Sequence, residues 1–186
     1  MRKLLMTAMA IGAVVFANAQ AEQTFKPFKV DIALGYALPS GEGSKAGALF
    51  AIEPKYALND NLAIGLRMEA ALTAQASTSA MTDADVKASS SYLATVDYYL
   101  NTNSFRPFLG AGAGIFTNAS AQANTASETT SDVKTGSRFG FTPRIGFETG
   151  HFRTAIEYNF AGKTANINHN YLGIKIGFFL GGGRYE

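Results

Sequence analysis

Eight stretches of the sequence alternate apolar and polar residues with a period of two. None of their apolar positions carries a charge, although 16% of the chain is charged. Such alternation is typical of β-strands that have one face in apolar surroundings. A face that excludes charge in all eight strands indicates contact with lipid. The predicted strands are Phe28–Leu38, Phe50–Leu58, Leu62–Leu72, Tyr92–Leu100, Phe105–Ile115, Phe139–Phe147, Phe152–Phe160 and Leu172–Leu180.

The connections between these strands alternate in length. The long ones are Pro39–Leu49, Thr73–Ser91, Thr117–Arg138 and Ala161–Tyr171, and the short ones are Asn59-Asp60-Asn61, Asn101–Ser104 and Gly150-His151. Barrels of the bacterial outer membrane have short periplasmic turns and longer external loops, and an even number of strands. The sequence therefore predicts an eight-stranded antiparallel up-and-down transmembrane β-barrel with a short-turn end and a long-loop end.

The first residues have the pattern of a secretory signal peptide. Arg2 and Lys3 are basic, Leu4–Phe16 is apolar, and Ala17-Asn18-Ala19 is a small-residue cleavage site. An uncleaved N-terminal anchor is the less favoured alternative, because the run is shorter than the ~20 apolar residues of a membrane helix. We expect a signal peptide at 1–19, one barrel domain at 20–186 and export to the bacterial outer membrane.

The short turns predict which residues lie opposite each other. Gly150 suits the first position of a two-residue II′ turn, which fixes the register of its two strands. Opposite charges at such positions stabilise a sheet by roughly 0.2–1 kcal/mol per pair. The expected pairs are Glu148 with Arg153, Arg144 with Glu157, and Glu53 with Arg67.

Three prolines fall within the predicted strands, at Pro54, Pro107 and Pro143. Proline has no N–H to donate to a β-ladder, so it is usually found at edges or bulges. We therefore expect local bulges at these positions.

The outward positions sort by depth, with aromatic residues near both ends and aliphatic residues between them. This is the arrangement of the aromatic girdles in membrane barrels. The predicted girdle residues are Phe28, Tyr56, Tyr98, Phe105, Phe147, Phe152 and Phe178 at the short-turn end, and Tyr36, Phe50, Tyr92, Phe139, Phe141, Tyr158 and Phe160 at the long-loop end.

The inward positions carry both signs of charge. An eight-stranded barrel is only wide enough for its own side chains to fill it, so we expect the charges to pair across the lumen. A salt-bridged plug is favoured over a path for ions. The predicted ion-pair network consists of Asp31, Glu53, Lys55, Arg67, Glu69, Asp97, Arg106, Arg138, Arg144, Glu148, Arg153, Glu157 and Lys175.

The composition limits the chemistry of the chain. It has no cysteine, which excludes disulfides, and its net charge of +2 gives no reason to expect nucleic acid binding. His151 and His169 lack the spaced ligands of a metal site, and nothing orients the exposed Ser and His residues for catalysis. We expect no enzyme activity, no catalytic or metal site and no cofactor.

Two segments, RPFLGAGAGIF at Arg106–Phe116 and YLGIKIGFFLGGG at Tyr171–Gly183, resemble the hairpin strands of small outer-membrane barrels. The similarity is to the transmembrane domain of the outer-membrane protein A family and its porin-like relatives, and it spans the mature chain. Members of that family usually end in an aromatic residue, whereas this chain ends in GGGRYE. The resemblance implies an outer-membrane barrel; no peptidoglycan-binding domain follows it, so that role is not expected.

Three functions fit this reading. The favoured one is a structural or surface-interaction role for a monomer that contacts outer-membrane lipid and reaches a surface partner through its external loops. The segments Gln75–Ala88 and Asn118–Gly136 have the composition of solvated tips. A narrow porin-like channel for ions or small solutes is the alternative, and a soluble lipocalin-type carrier is the third. In a channel, five aromatic residues would constrict the ends: Tyr99, Phe108, Phe116, Tyr171 and Phe179.

Overall fold

A computed structural model describes residues 24–40, 44–76, 84–122, 134–164 and 167–185. The predicted signal peptide lies outside these residues. Eight antiparallel strands close into one barrel in which each strand pairs with its neighbours along the chain and the first pairs with the last, and a separate two-stranded hairpin lies before the last barrel strand. The predicted eight-stranded barrel is thus confirmed. None of the described residues belongs to a helix that is long and apolar enough to cross a membrane.

Seven of the eight barrel strands are longer than the alternating pattern predicts, mainly toward the long-loop end, and the strand Phe152–Asn159 is one residue shorter. The apolar–polar alternation is weak in that part of the sequence because Ala, Ser, Thr and Asn fill most positions. The backbone pairing between strands nevertheless continues. The segments predicted as solvated tips are therefore partly strand. The bounds are β1 Phe28–Pro39, β2 Ser44–Ala57, β3 Leu62–Ala76, β4 Ala84–Tyr99, β5 Phe105–Gln122, β6 Lys134–Thr149, β7 Phe152–Asn159, β8 Lys163–Thr164, β9 Ile167–Asn168 and β10 Tyr171–Gly181.

The register agrees with the turn-based prediction. Glu148 lies opposite Arg153, and Arg144 lies opposite Glu157. The pairs between β2 and β3 keep one register from Ile52–Met68 to Lys55–Gly65, which sets Glu53 opposite Arg67. A slip by one residue would turn every side chain of a strand to the wrong face, so the two faces specify the register strongly.

The expected bulges at the three prolines are wrong. Pro54, Pro107 and Pro143 keep the register of their strands. The register shift among the described barrel pairs lies instead between Lys45 and Ala48 of β2. A strand tolerates the missing N–H because one lost ladder bond costs less than moving an entire apolar face out of lipid.

Apolar side chains close both ends of the barrel interior. At the long-loop end Tyr171 packs with Leu49, Ala37 and Ala71, and at the short-turn end Tyr99 packs with Phe108, Ala63 and Ala155. A further buried cluster at the long-loop end joins Leu93, Phe116 and Ala161. The charged interior lies between these apolar layers.

Candidate functional site

The outer face carries the aromatic residues that the sequence assigns to two girdles. Twelve of the fourteen are among the exposed large apolar side chains, and Phe139 has the highest exposed fraction, 73%. Phe147 and Tyr158 are half-buried because each packs against neighbouring outer rings. In water such a belt of exposed rings and aliphatic side chains would be unfavourable, so this surface suits a lipid environment.

The inner face brings twelve charged residues together in two ion-paired groups. We call the first the short-turn group because it lies nearer the short turns, and the second the long-loop group. The short-turn group consists of Lys29, Asp31, Glu53, Lys55, Asp97, Arg144, Glu148 and Arg153, and the long-loop group of Arg67, Glu69, Glu157 and Lys175.

In the short-turn group Asp97 forms ion pairs with three cationic side chains. Its carboxylate lies 2.6 Å from Lys55 Nζ, 2.8 Å from Arg144 Nε and 2.8 Å from Arg153 Nη2. Arg153 also pairs with Glu148. A carboxylate with several charged donors is held far more firmly than one in a single surface pair, so Asp97 fixes the centre of this group.

The long-loop group is a closed ring of four side chains. Arg67 Nη1 lies 2.6 Å from Glu157, and Lys175 Nζ lies 2.8 Å from both Glu157 and Glu69. Arg67 Nε completes the ring at 3.8 Å from Glu69. The side chains of Arg67, Glu69 and Glu157 are fully buried, and Arg67 also donates to Asn159 at 2.9 Å.

Each group is electrically neutral. The short-turn group contains four cations and four anions, and the long-loop group two of each. Burying an unpaired charge costs several kcal/mol, whereas a balanced and hydrogen-bonded set offsets much of that cost. The twelve ion-paired side chains therefore fill the interior with no net charge.

Two of the three ion pairs expected from the register do not form. Glu148 and Arg153 are bonded, but Arg144 bonds Glu53 and Arg67 bonds Glu157. The register itself is as predicted. The partners change because inward side chains of this length reach the barrel axis, where strands on opposite sides meet.

Two of the predicted network residues stand apart from these groups. Arg138 is exposed near the long-loop end, beyond the buried layer, and forms no ion pair with another described residue. Arg106 is buried at the short-turn end, where its guanidinium stacks on the rings of Phe25 and Tyr99.

Sequence reasoning missed several members of the interior. Lys29 is buried and pairs with Glu148. Lys29 lies two residues before Asp31 on β1 and therefore on the same inward face. The alternation of that strand could have predicted its place in the interior. The polar partners Thr95, Thr142 and Asn159 accept or donate hydrogen bonds within the network, and no charge pattern marks them.

The histidines lie at opposite ends of the barrel. His151 is exposed, with its ring 5.2 Å from that of Phe179, and His169 is buried at the long-loop end. Within the described part of the chain no three His, Cys, Asp or Glu side chains are grouped so that they could hold a metal ion.

Little space remains inside the barrel at the level of the ion pairs. A cavity lined by Asp31, Glu53, Arg144, Arg153 and Glu157, among others, has a volume of about 20 Å³. That is room for about one water molecule. The ion-paired side chains therefore occupy much of the described lumen at this level and hold its charges in fixed positions.

Comparison with known proteins supports the fold. A family model described as the outer membrane protein beta-barrel domain matches residues 7–182. None of the curated protein sequences compared with the chain matches it. Among solved structures, one that is similar is the attachment invasion locus protein Ail of Yersinia pestis, in complex with the heparin analogue sucrose octasulfate. The TM-score is 0.59 at 13% sequence identity, and the match covers 83% of this chain and 100% of that chain.

Two further solved barrels are similar. Neisserial surface protein A gives a TM-score of 0.56 at 18% identity, with 87% of this chain and 99% of that chain covered. The outer membrane protein OprG of Pseudomonas aeruginosa gives 0.52 at 11% identity, with 88% and 98% covered. At these identities the likeness concerns the fold, which is a small closed barrel in each case.

Proposed function

The chain belongs to the outer membrane protein β-barrel family, and on that premise we propose that it is a monomeric, non-enzymatic barrel of the bacterial outer membrane with a closed lumen. Its role is structural or in surface interaction. The observation that carries this proposal is the filling of the lumen by two neutral ion-paired groups, with a cavity of only about 20 Å³ between Glu53, Arg144 and Glu157.

The energetics of the lumen favour closure. A channel would need Arg144 to leave both Glu53 and Asp97, and Arg67 to leave Glu157. Separating a buried pair leaves charges uncompensated and costs roughly 3–5 kcal/mol. The closed state therefore dominates, and a narrow channel for ions or small solutes is the competing function.

The outer face supports membrane insertion. Leu34, Leu66 and Ile176 in the middle of the belt are 66%, 64% and 59% exposed, while the fourteen aromatic side chains lie toward its two ends. We assign the belt to lipid contact and residues 1–19 to a signal peptide that directs export. Extraction tests the assignment, because a membrane barrel stays with the membrane until detergent is added, whereas a lipocalin-type carrier leaves with the periplasm.

The long-loop end is the surface we assign to external interactions. Strands β3 to β6 continue past the aromatic residues toward that end, and loops on a rigid scaffold commonly carry binding residues. Ail, which shares the fold, was solved with the heparin analogue sucrose octasulfate. A polyanionic sugar is therefore a reasonable first ligand to test on this chain.

Solute exclusion tests the proposed closure. The mature chain, refolded into liposomes and checked by its heat-dependent gel shift, should give no swelling with arabinose or glycine. A double variant Arg144→Ala with Glu53→Ala, which removes one charge of each sign from the lumen, should swell measurably faster. Swelling by the unaltered protein at the rate of a known porin would support the channel instead.

A further inference from the structure

A cavity of about 170 Å³ lies inside the short-turn end of the barrel, beyond the short-turn group. Its apolar lining includes Phe25, Tyr99, Phe179, Ala57 and Ala63. It is more than eight times larger than the cavity between the ion pairs. A dry cavity of about 150 Å³ holds a benzene-sized molecule. The volume thus suits a ligand with one ring or a short aliphatic chain.

Two terminal segments, residues 24–27 and 182–185, cross this end of the barrel and are here called the cover. Lys26 donates its backbone N–H to Gly183, and Tyr185 donates to Thr24. Gly181, Gly182 and Gly183 all have positive φ, between 60° and 76°. This conformation favours glycine and turns the chain back over the barrel mouth.

The position of the cover is fixed by one short turn. The Asp60 carboxylate accepts the backbone N–H groups of Thr24 and Phe25 at 2.9 to 3.1 Å. Phe25 is consequently buried although it precedes the first strand. The cover therefore forms one wall of a chamber that stays partly open to solvent beside the exposed Lys26 and His151.

The charge of this chamber differs from that of the lumen. Lys26, Arg106 and Arg184 line it, and none of them forms an ion pair with a described carboxylate. The one carboxylate in the lining, Glu148, is already bonded to Lys29 and Arg153. A cationic excess therefore remains here, whereas both lumen groups are neutral.

The two arginines make aromatic and carbonyl contacts in place of ion pairs, and the carboxylates of Glu148 and Asp60 lie near enough to attract Arg106. The Arg106 guanidinium lies 3.8 Å from the Phe25 ring and 4.0 Å from the Tyr99 ring, and it donates to the backbone oxygen of Asp60. Arg184 lies 5.5 Å from the same Phe25 ring and donates to the backbone oxygen of Thr102. Guanidinium groups bind carboxylates with planar, paired hydrogen bonds, and each group has donors beyond the one used here.

We propose that this chamber is a binding site for a small organic anion, namely a single carboxylate on an apolar body of ring size. The apolar body lies among Phe25, Tyr99, Phe179 and the two alanines. The carboxylate faces the Arg106 and Arg184 side of the chamber. Such a ligand reaches the site from the short-turn end, which is the periplasmic side in this family.

Binding of 4-fluorobenzoate to the refolded mature chain tests the proposal. Fluorine NMR in detergent micelles should show a saturable shift that protein-free micelles do not give. The uncharged isostere 4-fluorobenzamide should bind at least tenfold more weakly, because it lacks the charge that the arginines complement. A folded wild-type protein that gives no saturable shift would overturn the proposal.

Four variants locate the site. Arg106→Gln should weaken 4-fluorobenzoate binding about tenfold and Arg184→Gln several-fold, since each loses a charged donor. Ala57→Leu keeps all charges but fills the chamber, and it should abolish binding. Arg138→Gln, at the exposed long-loop end, is the matched control and should stay within twofold of wild type.

The gel shift confirms that each variant has folded before its binding is measured. Equal binding by Arg106→Gln, Arg184→Gln and wild type would contradict the proposal, as would equal affinity for the benzoate and the benzamide. The second result would mean that the chamber is an apolar void without selectivity for anions.

Discussion

Arg144 and Glu53 form a two-point ion pair across the full width of the barrel. The distances are 2.9 Å from Nη1 to Oε2 and 2.7 Å from Nη2 to Oε1. Their strands, β6 and β2, are four positions apart in either direction around the eight-stranded sheet. The pair therefore links opposite walls, and Arg67 with Glu157 does the same nearer the long-loop end.

The Arg144–Glu53 pair should show strong energetic coupling. Arg144→Gln and Glu53→Gln should each destabilise the barrel by about 3–5 kcal/mol, because each leaves the other charge buried and the group unbalanced. The double variant restores neutrality and should be less destabilised than the sum of the singles by roughly 1–3 kcal/mol. Urea unfolding measures these free energies. It is followed by far-UV circular dichroism because the chain has no tryptophan for a fluorescence signal.

Arg144 and Glu157 provide the control pair for this comparison of single and double variants. They lie opposite each other on β6 and β7 but belong to different ion-paired groups. Their coupling should stay within the roughly 0.2–1 kcal/mol of facing charges that share no hydrogen bond, below that of Arg144 with Glu53. A larger coupling for this pair than for Arg144 with Glu53 would contradict the cross-barrel assignment.

Gly146 should not tolerate a methyl group. A Cβ at this position would lie 2.6 Å from Phe108 Cζ and would also meet the carbonyl oxygen of Thr154. Gly146→Ala should therefore cost about 1–3 kcal/mol of unfolding free energy through overpacking. At Gly112 the nearest atom is the Thr95 methyl at 3.1 Å, so Gly112→Ala should cost clearly less in the same urea titration. Equal losses would count against the packing argument.

The lipid belt makes a depth-dependent prediction on one strand. Leu66 and Leu72 face outward on β3, with 64% and 57% of their surfaces exposed. Leu66→Arg places a charge near the middle of the belt and should cost about 2–4 kcal/mol. Leu72→Arg lies six residues nearer the long-loop end and should cost about 0–1 kcal/mol. Unfolding from lipid vesicles measures both, and equal costs would place the membrane elsewhere.

The cover should depend on the Asp60 carboxylate. Asp60→Ala removes the acceptor for the Thr24 and Phe25 amides. Two charge-assisted hydrogen bonds are lost, so hydrogen exchange of these amides should accelerate at least tenfold. The amides of Ile32 to Leu38 in β1 serve as the internal reference and should not change. Unaltered exchange at Phe25 would show that the cover is held by other contacts.

The sequence predicted the fold and register because each rests on a local rule. Period-two alternation separates the faces of a strand, and the Gly150-His151 turn fixes which residues face each other. Glu148 and Arg153 are neighbours for that reason, and their ion pair was predictable.

The remaining ion pairs could not be derived from local rules. Arg144 has Glu157 directly opposite, yet it bonds Glu53 on the far wall. That choice depends on barrel diameter, side-chain length and the competition among all the charges in the interior. The chamber could not be predicted from the sequence for a similar reason. Phe25 and Arg184 lie outside the alternating strands and meet only when the barrel closes.

Single-channel recording of the folded wild-type protein tests the closed lumen most directly. Protein that shows the heat-dependent gel shift is inserted into a planar bilayer and held under an applied potential. We predict a silent bilayer, and we predict discrete conductance steps for the Arg144→Ala, Glu53→Ala double variant. Reproducible steps from the wild-type protein would contradict the closed lumen and support a channel.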